Sequence, residues 1–330
     1  MTLTTRRGGM RTIRSLGTWA VLILLACGSA WAQSYPGKPV RVIIVFPPGG
    51  ATDIVGRIVF QKVGEQLGQQ FIIDNRPGAS GTLGASLVAR SPADGYTLMV
   101  YSTTLIANAH MYKKLPYDTM KDFVGLSPVA QLIGMLSVHP SMPVRSVKDL
   151  IALAKKRPGE ISYGTAGVGA FQHLATSLFA NMADIDIVHV PYKGGGPASL
   201  GTAAGEVQMI LTPISEVLPY IKGKRLRPIA VSSDKRTAQF PDIPTIAETV
   251  KGYEFSSWMG TFAPAGTPRD IIEKLNAELK KAVADPAVAS NLSSQSLIPM
   301  HMTLDEFAKQ IKVEYERYAK IVKISGARIE

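Results

Sequence analysis

From residue 35 onward, short β-branched runs alternate with longer stretches whose apolar residues recur at helical spacing. Residues 40–45 (VRVIIV) are continuously apolar, the pattern of a strand buried on both faces. Ile54, Val55, Ile58, Val59, Val63 and Leu67 then line one face of a helix. Residues 71–73 predict a second strand, 82–90 a helix and 97–101 (TLMVY) a third strand, a βαβαβ order that implies a parallel sheet covered by helices. A second unit of the same kind follows His139-Pro140. Ser146 is placed to cap its first helix, which Arg157-Pro158-Gly159 ends. Strands at 161–163, 185–190, 207–211 and 226–231 are interleaved with helices at 170–181, 197–204 and 215–222. The tail is helical, at 268–285 and 303–325, with Thr267 placed to cap and Pro268 at the first helical position.

Folded back most economically, those last helices return to the first unit. The expected domains are 36–125 plus 245–330, discontinuous, with 126–244 inserted and paired crossings forming a hinge. The fold class expected is α/β, two lobes with a mixed, mostly parallel sheet in each and a cleft between them.

The chain has 46% hydrophobic and 18% charged residues, a globular balance. Its net charge of +11 is uneven, because Arg6, Arg7, Arg11 and Arg14 stand in a stretch 1–32 that holds no acid. This stretch reads as a secretory signal: a basic start, an apolar run at 16–26, and Ala30-Trp31-Ala32 as an A-x-A site. Cleavage is expected after Ala32, and the mature protein in the periplasm. Leu24-Leu25-Ala26-Cys27 approaches a lipoprotein processing site, but its second Leu departs from that pattern. Removing 1–32 leaves 32 basic residues against 25 acidic, or +7, and no cysteine, which excludes disulfides and cysteine metal clusters. The remaining charges are scattered, unlike a nucleic-acid-binding face. A mild positive charge suits anionic solutes and equally suits a solubilising surface.

The strongest local signal is the strand-to-helix junction Phe46-Pro47-Pro48-Gly49-Gly50-Ala51-Thr52-Asp53. The second is Thr165-Ala166-Gly167-Val168-Gly169-Ala170-Phe171, in the same relation to its own strand and helix. Glycines there let backbone N–H groups approach a ligand, and a helix N-terminus favours negative charge. Neither is a phosphate-binding loop, and the dinucleotide pattern begun by Gly167 and Gly169 fails at Gln172. Two such loops, with Thr52, Ser102, Thr103 and Thr165 nearby, suit a carboxylate at one or both ends of a solute. No G-x-S-x-G elbow, thiol nucleophile or metal-type histidine spacing supports catalysis, and no cofactor or metal is expected. His173 is a ligand donor or a structural histidine at the helix start. Replacing Asp53 by Ala, or Gly50 by a bulky residue, is expected to abolish binding and spare the fold.

Taken in order, these stretches resemble the Bug family, the periplasmic solute-binding proteins of tripartite tricarboxylate transporters. The resemblance is carried by Phe46-Pro47-Pro48-Gly49-Gly50 with Asp53 and Arg57, Asn75-Arg76-Pro77-Gly78-Ala79, and Asp94-Gly95-Tyr96-Thr97. It continues through Gly167-Val168-Gly169 with His173-Leu174-Ala175, Pro191-Tyr192-Lys193-Gly194, Leu226-Arg227-Pro228, Pro241-Asp242-Ile243-Pro244-Thr245 and Ala265-Gly266-Thr267-Pro268. It implies a Venus-flytrap fold, no enzymatic activity, a carboxylate ligand gripped largely by backbone N–H groups, and delivery to large and small membrane subunits. Tyr101, Ser102, Thr103, Pro191 and Thr212 are expected to line the cleft too. Two departures bear on the solute. One hydroxyl is missing where the second loop begins Gly164-Thr165-Ala166. Thr212-Pro213 stands where such proteins often carry an acid, which disfavours an amino acid. Phe46, Tyr101 and Phe171 make a dicarboxylate, aliphatic or aromatic and terephthalate-like, the expected solute. The protein is expected to be a monomer. The alternatives are a sensor that presents the carboxylate to a membrane receptor, and a secreted hydrolase or isomerase.

Overall fold

A computed structural model describes residues 1, 2 and 35–329. The expected leader, its cleavage site and Cys27 fall outside those residues. The chain divides into two units, Met1–Gly37 and Lys38–Glu330. The described residues of the first hold no helix or strand; the second carries the architecture below.

In chain order the elements are β1 (Val40–Ile44), α1 (Ala51–Leu67), β2 (Phe71–Asn75), α2 (Thr82–Ala89), β3 (Thr97–Ser102), α3 (Thr104–Met111) and β4 (Phe123–Val138). Then follow α4 (Val147–Lys156), β5 (Ser162–Thr165), α5 (Phe171–Ala183), β6 (Val188–Pro191), α6 (Gly195–Ala204), β7 (Met209–Pro213), α7 (Ile214–Lys222) and β8 (Arg227–Val231). The chain closes with β9 (Ser256–Pro264), α8 (Arg269–Ala284), α9 (Pro286–Ser294), β10 (Leu297–Pro299) and α10 (Leu304–Ser325).

The strands run in the order β2-β1-β3-β9-β4-β7-β5-β6, with β8 and β10 also pairing with β4. Pairing is parallel at the two flanks, β2-β1-β3 and β7-β5-β6. It is antiparallel wherever β4 or β9 takes part. β4 serves both half-sheets: Phe123–Ile133 pair with β9, and Gly134–Val138 with β7 and β8. The change of partner falls inside a strand that sequence periodicity does not reveal. Pro128 offers no N–H, and register shifts flank it. Both faces of β4 are largely buried, so no polar alternation marks it. Gly125 lets α10 approach: a Cβ there would stand 2.7 Å from the Phe307 ring.

The half-sheets are joined at Ser232. Its Oγ accepts from Gly134 N (2.8 Å) and donates to Phe255 O (2.6 Å). Its own N–H donates to Gly134 O and its carbonyl accepts from Phe255 N, each at 2.9 Å. Ser232 thus bridges Gly134 and Phe255, where the two chain segments pass between the half-sheets. α10 packs on both α3 and α5, one from each half. Fully buried Ile43, Tyr101, Phe179, Phe255 and Phe307 form the core, each worth about 1.5–3 kcal/mol of transfer free energy.

Helix starts fall into two groups. Ser146, Asp285 and Thr303 accept from the amides of α4, α9 and α10, the last in a full capping box, at about 1 kcal/mol each. α1, α5, α6 and α7 begin at Gly50, Ala170, Gly194 and Pro213 with no side-chain cap, as do α2 at Gly81, α3 at Thr103 and α8 at Pro268. The Thr267 cap expected from sequence is absent: its hydroxyl turns back to Pro264 O (2.7 Å) and Pro268 is the N-cap of α8.

Candidate functional site

Both glycine loops lie at the carboxyl ends of parallel strands, where α/β proteins hold ligands. In the first, Gly49 has φ +81°, which only glycine adopts freely, and turns the chain from β1 into α1. Asp53 does not project into solvent. Its carboxylate accepts from Gly49 N (2.9 Å), Arg57 Nε (3.0 Å to each oxygen) and Asn75 Nδ2 (3.0 Å). Asn75 also donates to Phe46 O (3.1 Å), so one buried carboxylate ties both ends of the loop to β2. Burial alone would raise the Asp53 pKa; the Arg57, Gly49 and Asn75 bonds outweigh it and hold the carboxyl below its ordinary value. Asp53 is therefore a clamp that shapes the loop. Gly50, Ala51 and Thr52 stand at the helix start it presents, with the Thr52 hydroxyl on Met259 Sδ (3.4 Å).

The second loop is clamped by neutral groups. Gly167 N donates to Thr165 Oγ1 (3.1 Å), which is 2.6 Å from His189 Nε2. Gly169 N donates to His173 Nδ1 (3.1 Å), and the two imidazoles stack with centroids 4.3 Å apart. Burial and the neighbouring His189 lower the His173 pKa to about 4. The Thr165–His189 pair has the look of a hydroxyl nucleophile and base, but the hydroxyl is fully buried and fixed to its own loop. Ala166 and Ala170 complete the loop, and the Phe171 ring stands edge-on to Phe255 at 5.0 Å.

A third loop, which sequence reasoning quoted as a motif but did not place in the site, faces the second. Ala79 and Ser80 have φ +49° and +52°, strained for non-glycine residues. The strain is held by Tyr101, whose hydroxyl donates to Ser80 O, by Asn108 (3.2 Å to the same carbonyl) and by Tyr112 on Ala79 O (2.8 Å). Ser80 Oγ donates across to Val168 O (3.2 Å), and the Met111 side chain covers Gly169, where a Cβ would stand 2.1 Å from Met111 Cε.

The other expected residues divide. Tyr101 is wholly buried, with Phe46 edge-on at 5.9 Å, and its hydroxyl serves the third loop. Thr103 belongs to a buried chain, accepting from Tyr318 OH (2.6 Å) and pairing with Ser257 Oγ (2.7 Å). Ser102 bonds Thr104 Oγ1 (3.0 Å). Pro191 is exposed at the end of β6. Thr212 is buried and accepts from Gln172 Nε2 (2.9 Å), which also donates to Glu216 Oε2 (2.9 Å). An acid, Glu216, nevertheless bonds the Thr212 hydroxyl. It arrives one helical turn later, from the first turn of α7, and lies against Gly195 at the start of α6. Burial raises its pKa against the pull of the Thr212 and Gln172 bonds. Among the described residues, no group of three His, Cys, Asp or Glu could hold a metal ion, and no helix is long and apolar enough to cross a membrane.

Residues 55–327 match the tripartite tricarboxylate transporter family receptor. The chain is 38% identical to a UPF0065 protein from the tcbD-tcbE intergenic region of Pseudomonas sp. strain P51, over 92% of this chain and 91% of that one. It is 35% identical to Protein BugT of Bordetella pertussis, over 91% and 93%. Among solved structures, R. palustris Rpa4515 with adipate aligns at TM-score 0.86 and 35% identity, over 89% of this chain and all of that one. MatC from Rhodopseudomonas palustris with bound malate aligns at TM-score 0.81 and 27% identity, over 87% and 100%. The two half-sheets are the two lobes of that fold, and the chain belongs to the tripartite tricarboxylate transporter receptor family, periplasmic solute-binding receptors rather than enzymes.

Proposed function

We propose that this protein captures a dicarboxylate between the lobes and delivers it to the large and small membrane subunits of a tripartite tricarboxylate-type transporter. The observation that carries the reading is the pair of uncapped helix starts at Gly50 and Ala170, each below a built glycine loop. The first amides of a helix have no intrahelical partner, and the helix end carries about half a positive charge. A carboxylate satisfies both. In the first lobe the donors are the amides of Ala51, Thr52 and Asp53. In the second, Gly167 and Gly169 amides are engaged within the loop, so Ala166 and Phe171 are the donors offered to a solute. The adipate and malate bound by two structural relatives, both dicarboxylates, support this class. Half-buried Phe46 and Phe171 support extending it to an aromatic acid such as terephthalate.

The lobes, expected at 36–125 plus 245–330 and at 126–244, are assigned as residues 38–133 plus 256–329 and residues 134–255, because β4 changes partner between Ile133 and Gly134 and β9 starts at Ser256. The protein acts as a periplasmic monomer after cleavage behind Ala32. A thermal-shift screen with adipate, malate, terephthalate and their monoesters tests the reading. A solute at a hundredfold excess over its Kd adds about 2.7 kcal/mol of stability. A shift with a diacid and none with its monoester supports the two-ended grip. Equal shifts with both would overturn it.

A further inference from the structure

The imidazoles beneath the second loop have no role in the solute contacts just described. We propose that His173 and His189 form an acid-sensitive clamp, holding the second glycine loop in its binding shape only while His173 is neutral. This rests on the carboxylate reading only for its effect on affinity; the clamp itself is a property of the loop.

The geometry separates the two rings. Gly169 N–H donates to His173 Nδ1, so that nitrogen bears no proton and the proton sits on Nε2. Protonating Nδ1 sets one N–H against another and must break the bond. His189 is tolerant. Its Nε2 meets the Thr165 hydroxyl, which can accept from a protonated ring and turn its own hydrogen to Gly167 O at 3.4 Å. His173 is thus the switch and His189 its support, stacked on His173 at 27° and on Tyr163 at 26°. The titratable groups facing His173 are His189 from β6 and, beyond it, Tyr163 from β5. Burial, then the His189 charge, disfavours protonation of His173; burial alone disfavours it at His189; burial raises the Tyr163 phenol, which stays neutral. Gly169 in turn carries the contact with Met111, so its release also loosens the seam between the lobes.

The clamp is tested on purified protein labelled with ¹⁵N at histidine and glycine, titrated from neutral pH to about pH 4. We expect a bare Nδ1 on His173 at neutral pH, and a Gly169 amide resonance that moves in step with protonation of that nitrogen, well below the usual histidine midpoint. Titration of His173 with no movement of Gly169 would overturn the proposal, as would a midpoint at the ordinary histidine value. A second arm measures adipate affinity across the same range. Affinities are expressed per fully ionised adipate, whose own carboxyls titrate in this range, and on that scale wild type should lose about tenfold on acidification. His173→Ala should bind more weakly at neutral pH, with His173→Asn, whose side-chain oxygen can accept from Gly169, recovering part of the loss and flattening the pH profile. An Asn variant that keeps the wild-type acid loss would refute the clamp. Absence of adipate binding at every pH counts against the solute reading alone, and the resonance arm then decides the clamp.

Discussion

The two glycine loops occupy equivalent places in their lobes, yet they are held by opposite chemistry. A carboxylate hub, Asp53 with Arg57 and Asn75, shapes the first. A hydroxyl and two neutral imidazoles shape the second. Charge-assisted bonds are shorter-ranged in tolerance but stronger, roughly twice a neutral bond. The first loop is therefore the firmer of the two, and the second is the one whose shape can be changed by a proton.

The largest effect that would break this comparison is expected from Gly169→Val. The residue has φ +77° and Met111 already fills the place of a side chain, so strain and overpacking should cut solute affinity on the order of a hundredfold or more. Isothermal titration measures it. The counterpart in the first loop, Gly50→Val, meets only Pro47 O at 3.5 Å and has φ −77°. Its melting temperature should stay close to wild type while binding is lost, because the added side chain collides with solute and not with protein. Asp53→Ala comes next, removing bonds to a charged group worth about 1.5–3 kcal/mol. It should lower chemical-denaturation stability by that order and weaken binding with it. A loss of binding with no loss of stability would return Asp53 to a direct contact role.

Acid separates the loops. His173 has a folded pKa lowered from 6.5 to about 4, so its stabilisation is complete above pH 6.5 and is lost as pH falls through about 4. Asp53 is lowered below 3.8, so its contribution persists through that window and is lost only at lower pH. Protection factors, which take out the intrinsic slowing of exchange in acid, should therefore fall at Gly169 and not at Gly49 between pH 6.5 and 4. Smaller still is Ser80→Ala, which removes one neutral bond between the lobes, about 1 kcal/mol or a fivefold loss of affinity. The smallest effect expected is Glu216→Gln, which keeps the Thr212 and Gln172 partners but removes a nearby negative charge; affinity for a diacid should rise two- to threefold, by roughly 0.5 kcal/mol.

How much of this could be read from the chain follows from how local each signal is. β1, α1 and the two loops were legible because a β-branched run, a glycine turn and a 3.6 period are complete within a few residues. β4 was not, since Pro128 and two-sided burial erase its alternation. β9, buried between β3 and β4, was hidden for the same reason. In the site, Asp53 was visible as a functional residue, but its hub needs Asn75 from the next strand. His189 went unnoticed because its partner Thr165 lies on a neighbouring strand, 24 residues away. Glu216 was not legible because it lies a turn beyond the strand end, in the first turn of α7.

The Ser232 junction has a consequence beyond hinge motion. The chain leaves the first lobe after Ile133 and re-enters it at Ser256, which is paired with Ile133 across the sheet, and Ser232 bonds both Gly134 and Phe255 just beyond. A segment whose ends meet in this way is a cassette: it can be lifted out and replaced by another of the same end-to-end spacing without rerouting its host. Recombination acting at that single seam would exchange the whole of 134–255, and with it His173, His189 and Glu216, while Asp53 and its loop stay behind. New solute preferences in such a chain can then be acquired one half-site at a time.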